Sequence, residues 1–381
     1  MTLPEARRPR VLIYAPHLLP LSQPWIRRHA EWLPRFETAL AGRRRTRNGL
    51  ALGDVPSFCI ADRATGSFEA PLLILFGRSP GLEAFAQRFQ PDLIHAHFGP
   101  GGTEVMDLAR RLAVPLVVSF HGWDAHLPAD PARPSLYEHR HLARRARLFT
   151  EASLVLAASR FLRTRLLELG ADPGRTEVAY LGVDRDRFDG ARNDDGTARI
   201  AMIGRLVRSK GTHFALEALR LLAPRVPGVE LEIIGDGPER AALEHAAAAL
   251  RLPVRFRGAL GQPEARDLLA RSRAFCFPST VTDGAPPETL GLAAAEAQAM
   301  GVPVVAAATG GIPEVVSDGS TGILVPDADP PALAAALERL LTDDGLRRRM
   351  GKLGQRHVAA HFDLRANLAR LADRYRRLLG G

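Results

Sequence analysis

The sequence predicts two consecutive α/β domains, each built on a parallel sheet flanked by helices. Three observations support this fold class. The chain has 381 residues, which exceeds the usual size of one domain and fits two. Short apolar runs of strand length alternate with amphipathic stretches of helix length. This alternation restarts after a polar, turn-rich segment at residues 184–198, where we place the domain boundary.

The first half of the chain supplies the elements of one such domain. Its apolar runs predict buried strands at Val11–Ala15, Leu72–Phe76, Leu93–Ala96, Leu116–Phe120 and Leu154–Ala157. The stretches between them predict helices at Pro24–Leu33, Leu82–Phe89, Thr103–Leu112 and Arg160–Leu169. Ser159 is a typical N-cap of the last helix, and Gly170 is a typical stop residue.

The second half repeats the pattern. Its strands are predicted at Arg199–Ile203, Glu230–Ile234, Val254–Arg257, Ala274–Pro278, Val302–Ala306 and Gly322–Val325. We therefore expect domains at 1–183 and 184–362. A basic amphipathic helix in segment 363–381 is expected to return to the first domain. Open α/β sheets bind ligands beyond the carboxyl ends of their strands, so the two sheets are expected to face each other across a cleft.

Composition excludes several classes of protein. No apolar run reaches the roughly 18–20 residues that a membrane span requires, and the N-terminal residues lack the apolar core of a signal peptide. Cys59 and Cys276 lie far apart in apolar, strand-like stretches, which indicates buried thiols. We expect a soluble, cytoplasmic protein.

The basic residues are almost all arginine. The net charge is +9, yet Lys210 and Lys352 are the only lysines. Aromatic residues are sparse and do not alternate with basic ones, which argues against binding to nucleic acid. The clusters at 43–45 and 144–145 are candidates for binding a phosphorylated acceptor or for peripheral contact with an anionic membrane at the inner face. The alternative interpretation is that they are solvated surface arginines.

A basic loop follows the first strand of the second domain. The strand ends at Gly204, the loop offers Arg205 and Lys210, and Gly211 precedes a predicted helix. Backbone N–H groups at a helix start, an arginine fork and a lysine ammonium together suit a diphosphate. A lysine in a chain that otherwise uses arginine suggests a site that needs the slimmer cation. The alternative is a surface loop that happens to be basic.

An acidic loop and helix come later in the same domain. Glu288 stands at the mouth of a predicted helix and could accept hydrogen bonds from sugar hydroxyls, and Glu296 lies two turns further on, near the same face. The alternative is a first-turn acid favoured by the helix dipole, followed by a solvated glutamate. Backbone N–H groups that could hold phosphate oxygens belong to Thr289, Leu290 and Gly291.

Two histidine motifs stand at strand ends of the first domain. One contains His95 and His97, and the other contains His121 and Asp124. Two histidines at alternate strand positions could bind a metal, but no cysteine or acidic partner has ligand spacing, so we expect no metal site. For His95 the alternative is a histidine whose hydrogen bonds are satisfied within the core.

Several motifs together resemble glycosyltransferase family 4, and the similarity spans nearly the whole chain. Each motif is moderately specific, whereas their order and spacing are highly specific. The motifs are Arg205 with Lys210, Glu288 with Glu296, Gly-Gly-Ile-Pro-Glu at 310–314, and Tyr180–Asp184 with Phe188 at the domain crossover.

The resemblance implies a GT-B fold with two Rossmann-like domains and retaining, metal-independent transfer without a cofactor. A hexose or derivative would pass from a UDP- or GDP-sugar to a glycan, lipid-linked or natural-product acceptor. The resemblance implies that Arg205 and Lys210 bind the diphosphate and stabilise the leaving group. It assigns Glu288 to the donor sugar and Glu296 to the ribose.

Further roles come from the resemblance alone. It places Asp236 and Arg257 where the family holds the base, largely through backbone. It assigns His121 to the donor sugar, and it puts His97 and Asp124 on the acceptor side.

One segment departs from the family pattern. Many members carry a Gly-Gly loop after the first strand, whereas residues 20–26 read Pro-Leu-Ser-Gln-Pro-Trp-Ile here. Ser22 would cap the following helix, and Trp25 could stack on an acceptor sugar or belong to the core. This segment is similar to the subgroup associated with exopolysaccharide and colanic-acid-type assembly.

Three other functions compete with glycosyl transfer. A nicotinamide oxidoreductase would share paired α/β sheets, but the segment Gly235–Pro238 lacks the G-x-G-x-x-G fingerprint. A GT-B nucleotide-sugar epimerase or hydrolase would share the fold. The third is a non-catalytic module that binds sugar nucleotides.

Overall fold

The computed structural model describes residues 7–20, 23–46, 49–51, 53–127, 135–188, 192–193 and 195–380. The chain divides into two compact units. The first contains the chain up to Tyr180 together with the residues from Arg365 onward, and the second runs from Leu181 to Leu364. We call them the N-terminal unit and the C-terminal unit.

The N-terminal unit is built on a parallel sheet of seven strands in the order β5-β3-β1-β6-β7-β8-β9. The order reverses between β1 and β6, and β2 pairs separately with β4. The strands are β1 Arg10–Tyr14, β2 His17–Leu18, β3 Glu37–Gly42, β4 Arg44–Arg45, β5 Ser57–Cys59, β6 Leu93–His97, β7 Leu116–Phe120, β8 Leu154–Ala157 and β9 Thr176–Val178. Strands β6, β7 and β8 are buried at every position, as expected when helices cover both faces of a sheet.

The C-terminal unit has a six-stranded parallel sheet in the order β12-β11-β10-β13-β14-β15. This is the 3-2-1-4-5-6 order of dinucleotide-binding folds, and it reverses between β10 and β13. The strands are β10 Arg199–Ile203, β11 Glu230–Ile234, β12 Val254–Phe256, β13 Ala274–Phe277, β14 Val304–Ala307 and β15 Gly322–Val325.

Helices flank both sheets. Those of the N-terminal unit are α1 Pro24–Trp32, α2 Gly66–Phe76, α3 Pro80–Phe89, α4 Gly99–Leu112, α5 Leu136–Glu151 and α6 Arg160–Glu168. Those of the C-terminal unit are α7 Thr212–Leu222, α8 Arg240–Ala249, α9 Gln262–Arg271, α10 Leu292–Ala299, α11 Ile312–Val315, α12 Pro330–Thr342 and α13 Asp344–His361. The last helix is α14, Leu364–Leu378.

The C-terminal helix α14 packs into the N-terminal unit. Tyr375 is fully buried there. The guanidinium of Arg365 lies 4.3 Å from the centre of the Trp32 ring, and Arg374 donates a hydrogen bond to Glu177. The end of the chain thereby contributes a buried hydroxyl to the unit built by its beginning.

The prediction of two parallel α/β sheets is confirmed, but one predicted strand is wrong. Residues Leu72–Phe76 belong to helix α2 rather than to a strand. A short apolar run cannot be assigned to strand or helix by periodicity alone. In the helix, Phe68, Leu72 and Phe76 recur every four residues and are exposed.

The predicted basic clusters are only partly on the surface. Arg43 is buried and forms an ion pair with the buried Glu104, with 2.8 Å between Nε and Oε1. Arg144 is buried and pairs with Asp107 at 2.5 Å. These two arginines therefore neutralise internal carboxylates, and none of the expected interpretations, a phosphorylated acceptor, a membrane contact or a solvated side chain, fits them.

Two expectations from composition can be compared with the structure. Both cysteines are buried free thiols, as predicted. Within the described ranges, no helix combines the length and apolar character that crossing a membrane requires.

A glycine before α7 makes a close backbone contact with the segment after β13. Gly211 has a φ of 64°, and a Cβ at this position would lie 1.9 Å from the carbonyl oxygen of Pro278. Gly228 has a similar φ of 72°, but a Cβ there would meet nothing within 4 Å. The two glycines share the backbone conformation and differ in the space around it.

We expect Gly211→Ala to lower the free energy of unfolding by about 3 kcal/mol or more, because the methyl group must displace backbone. Gly228→Ala should lower it by about 1–2 kcal/mol, the usual cost of a left-handed non-glycine residue. Urea unfolding of both variants measures the difference. Equal losses would contradict the close contact.

Candidate active site

Two loops of the C-terminal unit meet where its strand order reverses. One follows β10, and the other follows β13 and leads into α10. Lys210 of the first loop forms an ion pair with Glu288 of the second, and the two side chains are only 20% and 17% exposed. The ammonium of Lys210 also lies 5.6 Å from the centre of the Phe277 ring. The structure therefore brings together two predicted site residues that are 78 positions apart in sequence.

Arg205 lies in the same loop as Lys210 and is exposed. Across the described ranges, no residue forms a hydrogen bond or ion pair with its guanidinium. The preceding Gly204 donates its N–H to the carbonyl of Ile234 at 2.9 Å, which joins the ends of β10 and β11. Arg205 and Lys210 thus differ, since Lys210 is paired and Arg205 has no such partner among the described residues.

The Glu288 loop is supported by a pair of glycines. Gly311 donates its N–H to the carbonyl of Glu288 at 2.8 Å. A Cβ on Gly310 would lie 2.1 Å from that carbonyl oxygen, and one on Gly311 would lie 1.9 Å from the carbonyl oxygen of Thr289. The Gly-Gly-Ile-Pro-Glu motif therefore lets two backbones approach closely, and this contact fixes the position of Glu288.

Backbone donors line the entry to α10. No residue of the described segments accepts a hydrogen bond from the N–H groups of Thr289, Leu290 or Gly291. Gly291 has a φ of 91° and precedes the first residue of α10. Free N–H groups at the start of a helix attract anions because their dipoles add to that of the helix.

Glu296 lies on α10 and is partly buried. Burial raises the pKa of its carboxyl to about 7, while a hydrogen bond with Gln262 lowers it. This carboxyl therefore changes its charge near neutral pH. The neighbouring helix α9 supplies Gln262, a contact that the sequence pattern did not indicate.

The residues expected near the base already have partners. Asp236 accepts the N–H of Gly237 at 2.7 Å and pairs with Arg240 at 3.0 Å. Arg257 pairs at 2.8 Å with Glu232, which is buried. The side chains thus stabilise the segments after β11 and β12. The Asp236 carbonyl also accepts the N–H of Leu206 at 2.9 Å, and the N–H of Arg257 donates to the carbonyl of Ile233 at 2.8 Å.

The loop after β7 carries His121 and is held by a buried carboxylate. Asp124 is fully buried and accepts N–H groups of Gly99 at 2.9 Å, Gly122 at 2.8 Å and His121 at 3.1 Å. Burial raises the pKa of Asp124 to about 6, although the three N–H donors oppose the rise. The structure therefore shows Asp124 tying this loop to the start of α4, with no surface left for an acceptor.

His97 lies beneath His121 and is buried. Its Nδ1 lies 2.9 Å from Nε2 of His121, and its Nε2 lies 3.1 Å from Nδ1 of His29. His95 is buried and contacts Ser119 and the hydroxyl of Tyr375. The interpretation of His95 as a satisfied core histidine fits this placement, and His97 can influence a substrate only through His121.

Trp25 stands beside His121, with 5.9 Å between their ring centres. Its Nε1 is buried, and no described residue forms a hydrogen bond with it. Phe98 contacts the other side of His121, at 4.8 Å between ring centres. Ser22, the predicted cap, lies outside the described residues. The placement of Trp25 next to His121 is compatible with the predicted acceptor side.

Three histidines come close enough to raise the question of a metal. His29, His95 and His97 each offer a ring nitrogen, and these atoms lie within 4.8 Å of one another. Sequence reasoning missed His29, which reaches the cluster from α1 and belongs to no motif. The ring nitrogens of all three also lie within hydrogen-bond distance of side-chain neighbours.

Two family models match adjoining parts of the chain. Residues 184–357 match the model described as glycosyl transferases group 1, and residues 33–187 match the model described as glycosyltransferase family 4. This chain belongs to glycosyltransferase family 4. The family resemblance predicted from the motifs is therefore confirmed, and the chain is a glycosyltransferase.

Curated relatives agree with this membership. The chain is 33% identical over 343 residues to the D-inositol 3-phosphate glycosyltransferase of Kribbella flavida, covering 80% of this chain and 77% of that protein. It is 31% identical over 281 residues to the glycogen synthase of Mycobacterium tuberculosis, covering 72% and 66%. It is 32% identical over 260 residues to the putative colanic acid biosynthesis glycosyltransferase WcaL of Salmonella typhimurium, covering 66% and 62%. The chain thus spans just under two thirds of the last two proteins.

Solved structures confirm the GT-B fold. The structure of Anabaena HepE in complex with UDP and glucose has a TM-score of 0.75 at 20% identity, covering 96% of this chain and 99% of that one. The sucrose-phosphate synthase of Thermosynechococcus elongatus has a TM-score of 0.76 at 21% identity, covering 98% and 100%. At this identity the similarity concerns the fold alone.

The raised pKa of Glu296 predicts a pH-dependent stability difference. The carboxyl ionises in the unfolded chain near pH 4.5 but in the folded protein only near pH 7, so the native state loses stability as pH rises through this window. The free energy of unfolding of Glu296→Gln, relative to that of the native protein, should therefore rise by about 1–3 kcal/mol between pH 4 and pH 8.

Urea unfolding across this range measures the effect of Glu296→Gln. Glu264→Gln, at an exposed position on the neighbouring helix α9, is the control for removing one surface carboxylate. A difference for Glu296→Gln that stays constant from pH 4 to pH 8 would contradict the raised pKa.

Proposed function

We propose that this glycosyltransferase is a retaining enzyme that transfers a hexose or derivative from a UDP- or GDP-sugar to an acceptor hydroxyl. The observation that carries the proposal is the position of the Lys210–Glu288 pair, which adjoins the unpaired Arg205 and the free N–H groups at the start of α10. Cations and N–H donors suit a diphosphate, and the adjacent carboxylate suits sugar hydroxyls.

The charges of this site suit the departure of a nucleoside diphosphate. Glu288 balances Lys210 before a ligand arrives, and Arg205 supplies a positive charge that no described residue neutralises. As the bond between the sugar C1 and the phosphate oxygen breaks, negative charge grows on the diphosphate. Lys210, Arg205 and the N–H groups before α10 would stabilise this charge without rearranging.

The proposed step retains the configuration at C1. The acceptor oxygen bonds to C1 on the face from which the diphosphate leaves, and the acceptor proton passes to a departing phosphate oxygen. No carboxylate acts as a covalent nucleophile in this step. Glu288 orients the sugar, and Glu296 accepts hydrogen bonds from the ribose.

Similar proteins support the choice of donor. HepE has been solved with UDP, with UDP and glucose, and with UDP-glucose. A relative from Mycolicibacterium smegmatis, 33% identical over 283 residues, is a GDP-mannose-dependent mannosyltransferase. We propose that the donor of this chain belongs to one of these two nucleotide classes.

Relatives also favour a glycan acceptor in polysaccharide biosynthesis. WcaL is named for colanic acid, and AmsK of Erwinia amylovora, 33% identical over 259 residues, is named for amylovoran. Lipid-linked and natural-product acceptors fit the same site chemistry, and a peripheral contact with an anionic membrane would suit a lipid-linked acceptor.

Turnover of Lys210→Ala tests the diphosphate site. Turnover is measured with whichever of UDP-glucose, UDP-galactose and GDP-mannose reacts fastest. We expect Lys210→Ala and Arg205→Ala each to lower it by about 10²–10³-fold, the usual loss when one group that stabilises the transition state is removed. The control is Lys352→Ala. Lys352 is the only other lysine and is exposed on α13, so its replacement should leave turnover unchanged. Near-native rates for Lys210→Ala and Arg205→Ala would rule out the assignment.

Comparing reactions with and without acceptor separates transfer from its alternatives. Nucleotide release that requires an acceptor glycan supports transfer. Release at the same rate without acceptor indicates a hydrolase, and no release from any donor indicates a binding module.

We also propose that transfer needs no divalent cation, because side-chain cations and N–H groups supply the positive charge. Turnover should therefore be unchanged within twofold after treatment with EDTA. A loss that added Mg²⁺ or Mn²⁺ restores would contradict this part of the proposal.

A further inference from the structure

The N-terminal unit contains one continuous series of buried hydrogen bonds that ends at His121. Every member except the two ends contacts two others, the inner histidines through their two ring nitrogens and Tyr375 through its hydroxyl. We call this series the histidine network. In order, it consists of Ser119 Oγ, His95, the Tyr375 hydroxyl, His29, His97 and His121.

The contacts follow a regular pattern of ring atoms. His95 uses Nε2 toward Ser119, at 2.8 Å, and Nδ1 toward Tyr375. His29 uses Nε2 toward Tyr375, at 3.0 Å, and Nδ1 toward His97, at 3.1 Å. His97 in turn uses Nδ1 toward Nε2 of His121, at 2.9 Å.

This pattern couples the four tautomers. A neutral imidazole donates through one nitrogen and accepts through the other. Each hydrogen bond needs one donor and one acceptor, so the direction of one bond fixes the direction of the next. The Tyr375 oxygen could accept hydrogen bonds from both His95 and His29, but its own buried proton would then have no acceptor among the described residues, which is costly. With the hydroxyl donating to one of these rings, the network has two consistent states: all four histidines carry the proton on Nδ1, or all four carry it on Nε2.

Ser119 decides between the two states. Its side chain is buried, and His95 is its only hydrogen-bond partner among the residues that the structure describes. If His95 donated from Nε2, the serine proton would be buried without an acceptor, which is costly. If the serine donates instead, its proton is satisfied and all four histidines carry the proton on Nδ1.

Burial keeps the network uncharged. It lowers the pKa of His29 and of His121 to about 3, and it lowers the pKa values of His95 and His97 well below the usual range. All four rings are therefore neutral near pH 7. This is the condition under which each ring has one donor and one acceptor nitrogen.

The free end of the network is Nδ1 of His121. This atom is buried and has no hydrogen-bond partner within the described ranges, unlike Nε2 of the same ring. In the state that satisfies Ser119, Nδ1 carries a proton and presents a hydrogen-bond donor. An oxygen atom of a ligand would complete the series.

We propose that Tyr375, Ser119 and the three inner histidines are positioning residues that fix His121 as the Nδ1–H tautomer. His121 would then donate a hydrogen bond from Nδ1 to a hydroxyl oxygen of the donor sugar. This inference rests on the proposed function and on the family resemblance, which assigns His121 to the donor sugar. It gives the C-terminal helix α14 a part in catalysis through the Tyr375 hydroxyl.

Nuclear magnetic resonance can test the tautomers without any substrate. In the full chain labelled with nitrogen-15 in histidine, long-range proton–nitrogen couplings distinguish a protonated ring nitrogen from a bare one, and single His→Gln variants assign the signals. We expect Nδ1–H at His29, His95, His97 and His121 near pH 7. An Nε2–H form or a charged ring at any of the four would overturn the proposal.

Variants test whether the far end of the network controls His121. Tyr375→Phe and Ser119→Ala should each give mixed tautomers at His121 and lower kcat for the better of UDP-glucose and GDP-mannose by about 3- to 10-fold, with KM unchanged. Ser119→Thr keeps the hydroxyl and should restore the single tautomer and the rate. A single Nδ1–H tautomer at His121 in Tyr375→Phe would overturn the coupling.

The matched control is Phe36→Leu. Phe36 packs against the ring of Tyr375, at 5.6 Å between ring centres, and leaves its hydroxyl untouched. It should change neither the tautomers nor kcat. A loss of kcat in Phe36→Leu equal to that in Tyr375→Phe would show that packing, not the hydroxyl, is responsible.

Two further results distinguish the histidine network from a metal site and from the proposed donor site. A stoichiometric transition metal in the purified protein would overturn it, because metal-bound nitrogens of His29, His95 and His97 could not take part in the network. If Lys210→Ala kept native turnover, the proposed donor site would fail, but the tautomers would still be measurable and would decide the network independently.

Discussion

The ion pair between Lys210 and Glu288 is the interaction on which the proposed donor site depends. It joins the loops after β10 and β13, which lie on either side of the strand reversal in the C-terminal unit. Removing two charges from water is costly, so a mostly buried pair of this kind persists only when the surrounding backbone holds it. Gly211 against Pro278 and Gly311 against Glu288 provide that backbone. These glycines are therefore part of the site although they carry no functional group.

The N-terminal unit arranges its buried polar groups differently. The loops after β10 and β13 carry charged side chains, of which Arg205 has no partner among the described residues. The histidine network instead contains four imidazoles that burial keeps neutral. Hydrogen bonds rather than ion pairs satisfy its atoms, except for Nδ1 of His121. The first arrangement suits an anion, and the second suits a neutral oxygen atom such as that of a sugar hydroxyl.

Local patterns in the sequence predicted most strands of the two sheets and the two loops that carry Lys210 and Glu288. Parallel strands covered on both faces are continuous apolar runs, so β6, β7 and β8 were recognisable, and the Lys210 and Glu288 loops carry family motifs. The same rule failed at Leu72–Phe76, an apolar run in helix α2 whose type no local signal decides. The histidine network was beyond prediction because it depends on tertiary packing. Tyr375 and His29 are 346 positions apart, and neither belongs to a motif.

We propose that the loops around Lys210 and Glu288 bind a diphosphate. Calorimetric titration of the native protein with UDP and UMP, and with GDP and GMP, tests it most directly, because each pair differs only in the second phosphate. We predict that one of the two diphosphates binds at least tenfold more tightly than its monophosphate, and that Lys210→Ala removes most of this preference. Equal affinities for diphosphate and monophosphate with both bases would contradict it.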